Sequence, residues 1–371
     1  MERETDEKKK AEYLDRKYAE QEYEARNHTG GKHTVRMDLW QYCTWKHCEE
    51  MLLSFRLLGE NDWPKDKVLS CLYALANHGE KHYEKIRIPK KSGGFRTLLA
   101  PDPLLKYVQK NLLHYVLEGF SVSDHAAAYR KKGNRSAVCC CVENASLHRG
   151  KALILKLDIE NFFGSITFPL IYHSAFPAKY FPPEVGKLLA ELCCYLEYLP
   201  QGAPTSPAIS NLVMKHFDEY MAEWCGQRGI VYSRYCDDLT FSGDFDPGEV
   251  IRKAEGFLRA MGFSLNRRKT KVLSKASRQM VTGLVVNEKV QPSREYRRKL
   301  RQELYYCRKY GVTEHLRRSR KQEDLFGQKE NNQARYLCSL LGKINYVLFT
   351  RPEDKWLLEA KKWVKDQLSQ G

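Results

Sequence analysis

Apolar residues change their spacing several times along the chain, and each change marks an element. From Leu39 to Asn77 they recur at helical intervals: Trp40, Tyr42, Leu52, Leu53, Phe55, Leu57 and Leu58, then Val68, Leu72 and Leu75. Asn61-Asp-Trp-Pro64 interrupts them, which predicts two helices with Pro64 suited to a first helical turn. His82 to Pro89 alternates instead. Lys90-Lys-Ser-Gly-Gly-Phe-Arg96 then supplies a glycine turn, and Thr97 to Ala100 runs on extended, so a hairpin with a basic tip is expected. Helical spacing returns from Asp102 to Leu117 and again before Asn144-Ala-Ser-Leu-His148. Lys151-Ala-Leu-Ile-Leu-Lys-Leu-Asp158 is a short apolar run that reads as a strand.

Farther on, residues 183 to 197 read as a helix. Leu199-Pro-Gln-Gly-Ala-Pro-Thr-Ser-Pro207 is a rigid loop that leads into a long helix reaching Cys225. Ile230 to Cys236 and Leu239 to Ser242 are β-prone runs flanking Asp237 and Asp238. Pro247 to Met261 has an amphipathic helical pattern, Phe263 to Leu273 is extended and basic, and Gln279 to Val290 reads as a hairpin around Asn287. From Ser293 the pattern is helical, with basic runs at Arg297 to Arg301 and Arg317 to Lys321.

Candidate chemistry lies at three places in this pattern. Asp237 and Asp238 occupy the expected tight turn of a hairpin, where Asp tolerates unusual backbone angles. On its own the stretch is either a solvated turn or a site where adjacent carboxylates hold a divalent metal. Asp158 ends a buried strand, a position where a carboxylate seldom serves packing, and is a candidate ligand. The tip with Lys90, Lys91 and Arg96 suits a triphosphate or a nucleic-acid backbone, or is a solvated basic turn. The Pro-rich loop feeding a helix N-terminus can hold a base or phosphate.

Charge favours one class of partner. The 371 residues carry a formal net charge of +16, with 42% hydrophobic and 12% aromatic residues, which describes a folded protein with a polyanionic partner, nucleic acid first and anionic membrane second. The longest apolar runs fall short of a membrane span and the charged start, Met1-Glu-Arg-Glu-Thr-Asp, lacks a signal-peptide core, so a cytoplasmic protein is expected. The 12 cysteines form no CxxC pair. Reduced thiols packed as small apolar residues are the expectation, the alternative being a metal site of Cys139 to Cys141 with His148.

Two carboxylates from separate elements can bridge two Mg²⁺ ions about 3.5–4 Å apart, the geometry of in-line phosphoryl transfer. A template-dependent polymerase fits that outline, as do nucleases and other nucleotidyl transferases. The motifs narrow it. Leu157-Asp-Ile-Glu-Asn-Phe-Phe163, Pro200-Gln-Gly-Ala-Pro-Thr-Ser-Pro207, Tyr235-Cys-Asp-Asp238 and Asn266-Arg-Arg-Lys-Thr270 stand in the order of the reverse transcriptase palm motifs. With Asn144-Ala-Ser-Leu-His148 and Val281-Thr-Gly283, the chain resembles the bacterial retron reverse transcriptases over roughly residues 80 to 350. It departs from their commoner tetrad in having Cys236 where Ala usually stands.

The resemblance implies an α+β, right-hand polymerase fold with fingers, a palm of antiparallel sheet with helices, and a helical thumb. A charged arm or helix would occupy residues 1–36, N-terminal helices and fingers 37–150, the palm with parts of the fingers 151–290, and a basic thumb 291–371. It implies an RNA-directed DNA polymerase in which Asp158, Asp237 and Asp238 are catalytic and, with the Ile159 carbonyl, bind two Mg²⁺ ions. Lys90 or Lys91 with Arg96, Phe163, Gln201, Gly202 and Lys269 would contact the dNTP, Phe163 lying under the sugar and Lys269 near the leaving pyrophosphate. Asn144, His148, Val281, Thr282 and Gly283 would recognise the RNA, although His148 also suits a satisfied core position. The implied partners are a structured noncoding RNA that is template and primer, its DNA product, dNTPs and an effector protein encoded nearby, in an anti-phage defence role. The alternatives are another bacterial reverse transcriptase (intron-encoded, diversity-generating or CRISPR-associated) or a non-catalytic RNA-binding protein on a palm scaffold.

Overall fold

The structure, a computed structural model, describes residues 40, 42–89, 93–130, 137–318 and 332–369. The early helical spacing becomes α1 (Trp45–Ser54) and α2 (Lys65–Asn77). The Thr44 hydroxyl caps α1, and Pro64 is the cap residue of α2, one place ahead of the first turn expected for it. β1 (Tyr83–Pro89) and β2 (Phe95–Pro101) pair antiparallel, with Pro89 opposite Phe95 next to the tip. The Asp102 carboxylate accepts from the Leu105 amide to start α3 (Pro103–Tyr115), which buries Leu105, Val108 and Leu112. After α4 (Ala137–Leu147) comes β3 (Leu153–Asp158).

Two helices differ from expectation. After α5 (Phe168–Ala175), α6 spans only Pro183–Glu191; beyond it the chain turns at Leu196, φ 55°, where Tyr195 and Tyr198 exchange backbone hydrogen bonds. The long helix is in fact α7 (Ser206–Val213) and α8 (Lys215–Gly226), with the turn residue Met214, φ −84° and ψ −3°, opening the ladder between them. β4 (Val231–Tyr235), β5 (Asp238–Gly243), α9 (Pro247–Ala260) and β6 (Lys271–Ser274) follow. The hairpin expected around Asn287 is a three-strand meander of β7 (Met280–Val281), β8 (Leu284–Val285) and β9 (Gln291–Pro292). Its first turn falls at Thr282 and Gly283, both at positive φ. Asn287 instead braces the chain, accepting from the Gln279 amide and donating to the Lys275 and Ser277 carbonyls. Helices α10 (Arg294–Tyr310), α11 (Val312–Arg318), α12 (Asn332–Thr350) and α13 (Lys355–Ser369) complete the chain.

The described residues pack as two units. One comprises those up to Ser121 with Ile166–Val213: α1 to α3, the β1–β2 hairpin and α5 to α7, around buried Leu52, Leu72, Leu105, Leu112 and Phe176. The other comprises Val122–Ser165 with Met214 onward. It holds a four-stranded antiparallel sheet in the order β4-β5-β3-β6, with the meander and the C-terminal helices, whose core includes Leu304, Leu340, Ile344, Val347 and Val364. The α+β expectation is met. No helix among the described residues is long and apolar enough to cross a membrane.

Candidate active site

The apolar run Leu153–Leu157 becomes the inner strand of the sheet because both of its faces are covered; Ile154, Leu155 and Leu157 are at most 1% exposed. Asp158 ends it directly opposite Asp238, the first residue of β5. The two-residue turn before β5 is Cys236-Asp237, closed by the Tyr235–Asp238 pair. The positive φ therefore falls on Cys236, at 61°, and not on either aspartate as the turn reading had it. A left-handed angle at the first turn residue alone is the pattern of a type II′ turn, whose twist suits a tight hairpin. The Ile159 amide donates to the Asp237 carbonyl at 3.0 Å, which ties the turn to the end of β3. Three carboxylates thus gather at one end of the sheet.

Like charges placed opposite one another oppose folding unless something offsets them. Burial pushes the Asp158 carboxyl above its ordinary range, and Asp237 adds to the rise while Lys269 works against it. Burial also raises Asp238, opposed by Lys156 and reinforced by Asp237. Lys269 lies 2.9 Å from both Asp158 oxygens. It is delivered there by the Arg267–Lys269 turn, which follows a segment pinned by the Asn266 amide on the Asp158 carbonyl. Lys156, on the same face of β3 as Asp158, is 3.8 Å from Asp238. Desolvated, mutually repelling oxygens with ammonium groups drawn onto them fit a divalent cation, the hard-ion chemistry of carboxylate donors. Among the described residues no three His, Cys, Asp or Glu side chains form a ready-made metal cluster.

Cys236 has a defined place beside the carboxylates. The Tyr129 hydroxyl donates to its sulfur at 3.3 Å, and burial pushes the thiol up to about 11, so it is neutral at working pH. Alanine at this position meets the same backbone strain as cysteine and leaves no charge unpaired. Cys236→Ala is expected to keep single-nucleotide incorporation within about twofold of the parent. A hundredfold loss would show that the thiol takes part in the reaction.

The model of the reverse transcriptase (RNA-dependent DNA polymerase) family matches residues 88–331. The chain belongs to that family. It is 33% identical over 229 residues to the retron Ec86 reverse transcriptase of Escherichia coli, covering 60% of this chain and 69% of that one. It is 35% identical over 244 residues to the retron Mx65 reverse transcriptase of Myxococcus xanthus, covering 61% and 56%. A third, the retron Ec83 reverse transcriptase of Escherichia coli, is 33% identical over 233 residues, covering 58% and 73%. Within the family the chain groups with the retron reverse transcriptases, and it is an RNA-directed DNA polymerase. Similar solved structures include a telomerase of Candida albicans at 11% identity and a TM-score of 0.39, covering 76% and 63%, a likeness too low to carry an argument.

The remaining motif positions of this reverse transcriptase are distributed as follows. Phe163 is half-buried next to core Phe162, their rings 5.4 Å apart. Arg96 is exposed on β2, while Lys90 and Lys91 lie outside the described residues. The Gln201 carbonyl accepts from the Leu99 amide at 2.8 Å. Gly202 follows at φ 132°, where a Cβ would stand 2.7 Å from the Leu99 carbonyl oxygen, so only glycine fits. The RNA-reading expectation needs correction for Asn144, His148 and Val281. All three are buried, at 1%, 0% and 0% exposed, and offer RNA no surface. His148 bridges Ser242 and Ser233 on β5 and β4 at 2.7 and 2.8 Å. Thr282 is half-buried and donates to the Cys141 carbonyl at 2.8 Å, and Gly283 is exposed.

Sequence reasoning missed Lys156, Tyr129 and a buried pair, Arg234 and Asp218. Lys156 and Arg234 each left a signal, as the one charge inside an apolar or β-prone run. The N-terminal arm expected at residues 1–36 lies outside the described residues.

Proposed function

We propose that the chain copies part of a structured noncoding RNA into DNA at the Asp158–Asp237–Asp238 site, starting from an internal 2′-hydroxyl and leaving a branched, RNA-linked DNA. The observation that supports synthesis at this site most is the register: Asp158 and Asp238 face each other on neighbouring strands, with Asp237 on the adjoining turn. Fingers in 37–150, a palm in 151–290 and a basic thumb in 291–371 remain the domain reading.

Asp158 and Asp237, with Asp238 beside them and the Ile159 carbonyl, would hold two Mg²⁺ ions, which supply acidification of the attacking hydroxyl and offset charge on the reacting phosphate. Such ions take one or two carboxylates and fill the rest of their shell from phosphate oxygens and water. The chain's own groups do the remaining work. Burial of Asp158 keeps bulk water from weakening the field at the reacting phosphate. Lys269, its side chain 59% exposed, has the reach to follow charge onto the leaving pyrophosphate. Lys156 stays with Asp238 and steadies it. Arg96, with Lys90 or Lys91, grips the triphosphate; Gln201 and Gly202 position the paired bases; and Phe163 blocks a 2′-hydroxyl on the incoming sugar. Thr282 and Gly283 remain assigned to RNA contact, together with the basic thumb helices. In the cytoplasm the product and an effector protein encoded nearby would serve anti-phage defence.

The test is to purify the protein with its nucleic acid and sequence what copurifies. Branched RNA–DNA whose synthesis continues on adding dNTPs and Mg²⁺ is the expected result. Linear DNA extended only from an added 3′-hydroxyl primer would leave a reverse transcriptase of another branch, and binding without synthesis would leave an RNA-binding palm.

A further inference from the structure

Arg234 has no surface. It lies on β4, two residues before the catalytic turn, and both its side chain and that of its partner Asp218 on α8 are 0% exposed. A buried ion pair is a poor source of stability, because desolvation cancels most of the attraction and apolar residues of similar volume do as well or better. Its geometry shows what else it does. Nε donates to the two Asp218 oxygens at 2.8 and 3.1 Å, and Nη2 donates to Oδ2 at 2.6 Å. Nη1 turns away from the carboxylate and donates to the Cys236 carbonyl oxygen at 3.1 Å. That oxygen belongs to the peptide joining Cys236 to Asp237.

The surroundings hold the strand and the carboxylate of this pair in place. Tyr232 donates its hydroxyl to Asp218 at 2.8 Å. The Arg234 backbone receives the Ala127 amide at 2.7 Å and donates to the His125 carbonyl at 2.8 Å, so the loop before Tyr129 covers the open edge of β4. The turn itself needs a brace. Cys236 at φ 61° is strained by its Cβ, and two repelling carboxylates follow it.

We propose that Arg234, anchored by Asp218, is the positioning residue of the catalytic turn: its Nη1 holds the Cys236–Asp237 peptide so that Asp237 and Asp238 keep their place beside Asp158. A lysine ammonium can neutralise Asp218 but lacks the planar fork that serves the carboxylate and the carbonyl together. The inference rests on the polymerase reading of the carboxylate site.

Three variants test it by single-nucleotide addition on an RNA template. Arg234→Lys keeps the buried charge paired. Its kcat is expected to fall by about ten- to a hundredfold, the cost of a small misplacement of reacting groups. The KM for dNTP and the affinity for RNA stay close to parental, and the Mg²⁺ concentration for half-maximal rate rises. The triple variant Asp218→Leu/Arg234→Met/Tyr232→Phe replaces the whole network with apolar volume. It is expected to lose kcat similarly while its melting temperature holds or rises. Tyr232→Phe alone keeps the fork and the Cys236 bond, and keeps kcat.

Parental kcat in Arg234→Lys or in the folded triple variant overturns the proposal. So does a loss that disappears on assaying well below the melting temperature, the mark of a purely structural role. If the triple variant does not fold, Arg234→Lys decides. Asp237→Asn is assayed beside them: if it still makes DNA, the carboxylate reading has failed, whatever the Arg234 variants do.

Discussion

Asp237→Asn is expected to abolish DNA synthesis, with a loss of about a thousandfold or more, while RNA affinity stays at the parental value. Asp158→Asn should do the same. Asparagine keeps the size and hydrogen-bonding shape of aspartate but removes the charge, so the change falls on cation binding and on stabilisation of the reacting phosphate. Those contributions are worth several kcal/mol, and each 1.4 kcal/mol is about tenfold in rate. Stability should move the other way. Asp237 adds to the rise in both Asp158 and Asp238, so its charge works against the fold at this end of the sheet. Asp237→Asn should melt no lower than the parent, the usual sign of a residue kept for function at the expense of stability. The measurements are primer extension with Mg²⁺, RNA binding by filter retention and thermal melting. Retained synthesis with Mg²⁺ would show that these carboxylates are not the site, and a large drop in melting temperature would show a structural role instead.

The sheet was the most legible part of the molecule. An apolar run ending on Asp158, and two β-prone runs around an acidic pair, predict inner strands and a hairpin from composition and spacing alone. Spacing does not set register to one residue. Whether the strained angle lands on Cys236 or Asp237 depends on where β5 begins, and both run lengths allow either. The helix that stops at Glu191 and the break at Met214 had no glycine or proline to announce them, so favourable local spacing carried both helices too far. The interior of the site was least legible. Arg234 and Asp218 are 16 positions apart on different elements, and two charges in a basic chain read as surface residues until the fold buries them together. Asn144 and His148 show the converse: polar residues in a motif suggested a contact with RNA, and the fold has used them inside.

His148 gives the second large effect, and its sign follows from linkage. Burial depresses the imidazole to about 4, with Lys151 adding to the effect, against an unfolded value of about 6.5. Above pH 6.5 the ring is neutral in both states, and the full stabilisation from its two serine bonds is present. As pH falls from 6.5 toward 4 the unfolded chain takes up a proton that the folded protein refuses, so stability is lost through that window. Below about 4 both states are protonated and this contribution levels off. A depression of this size amounts to about 3 kcal/mol across the window, a large part of the stability of an ordinary domain. His148→Gln keeps a polar group between Ser233 and Ser242 but cannot titrate. It should be less stable than the parent at pH 7.5, where the imidazole fits better, and should lose less between pH 7 and pH 4.5, so that the two stability curves converge on acidification. Urea unfolding across that range reads the difference directly. Parallel curves would mean that the imidazole titrates alike in both states, and that the bridge between β4 and β5 accepts a protonated ring on acidification.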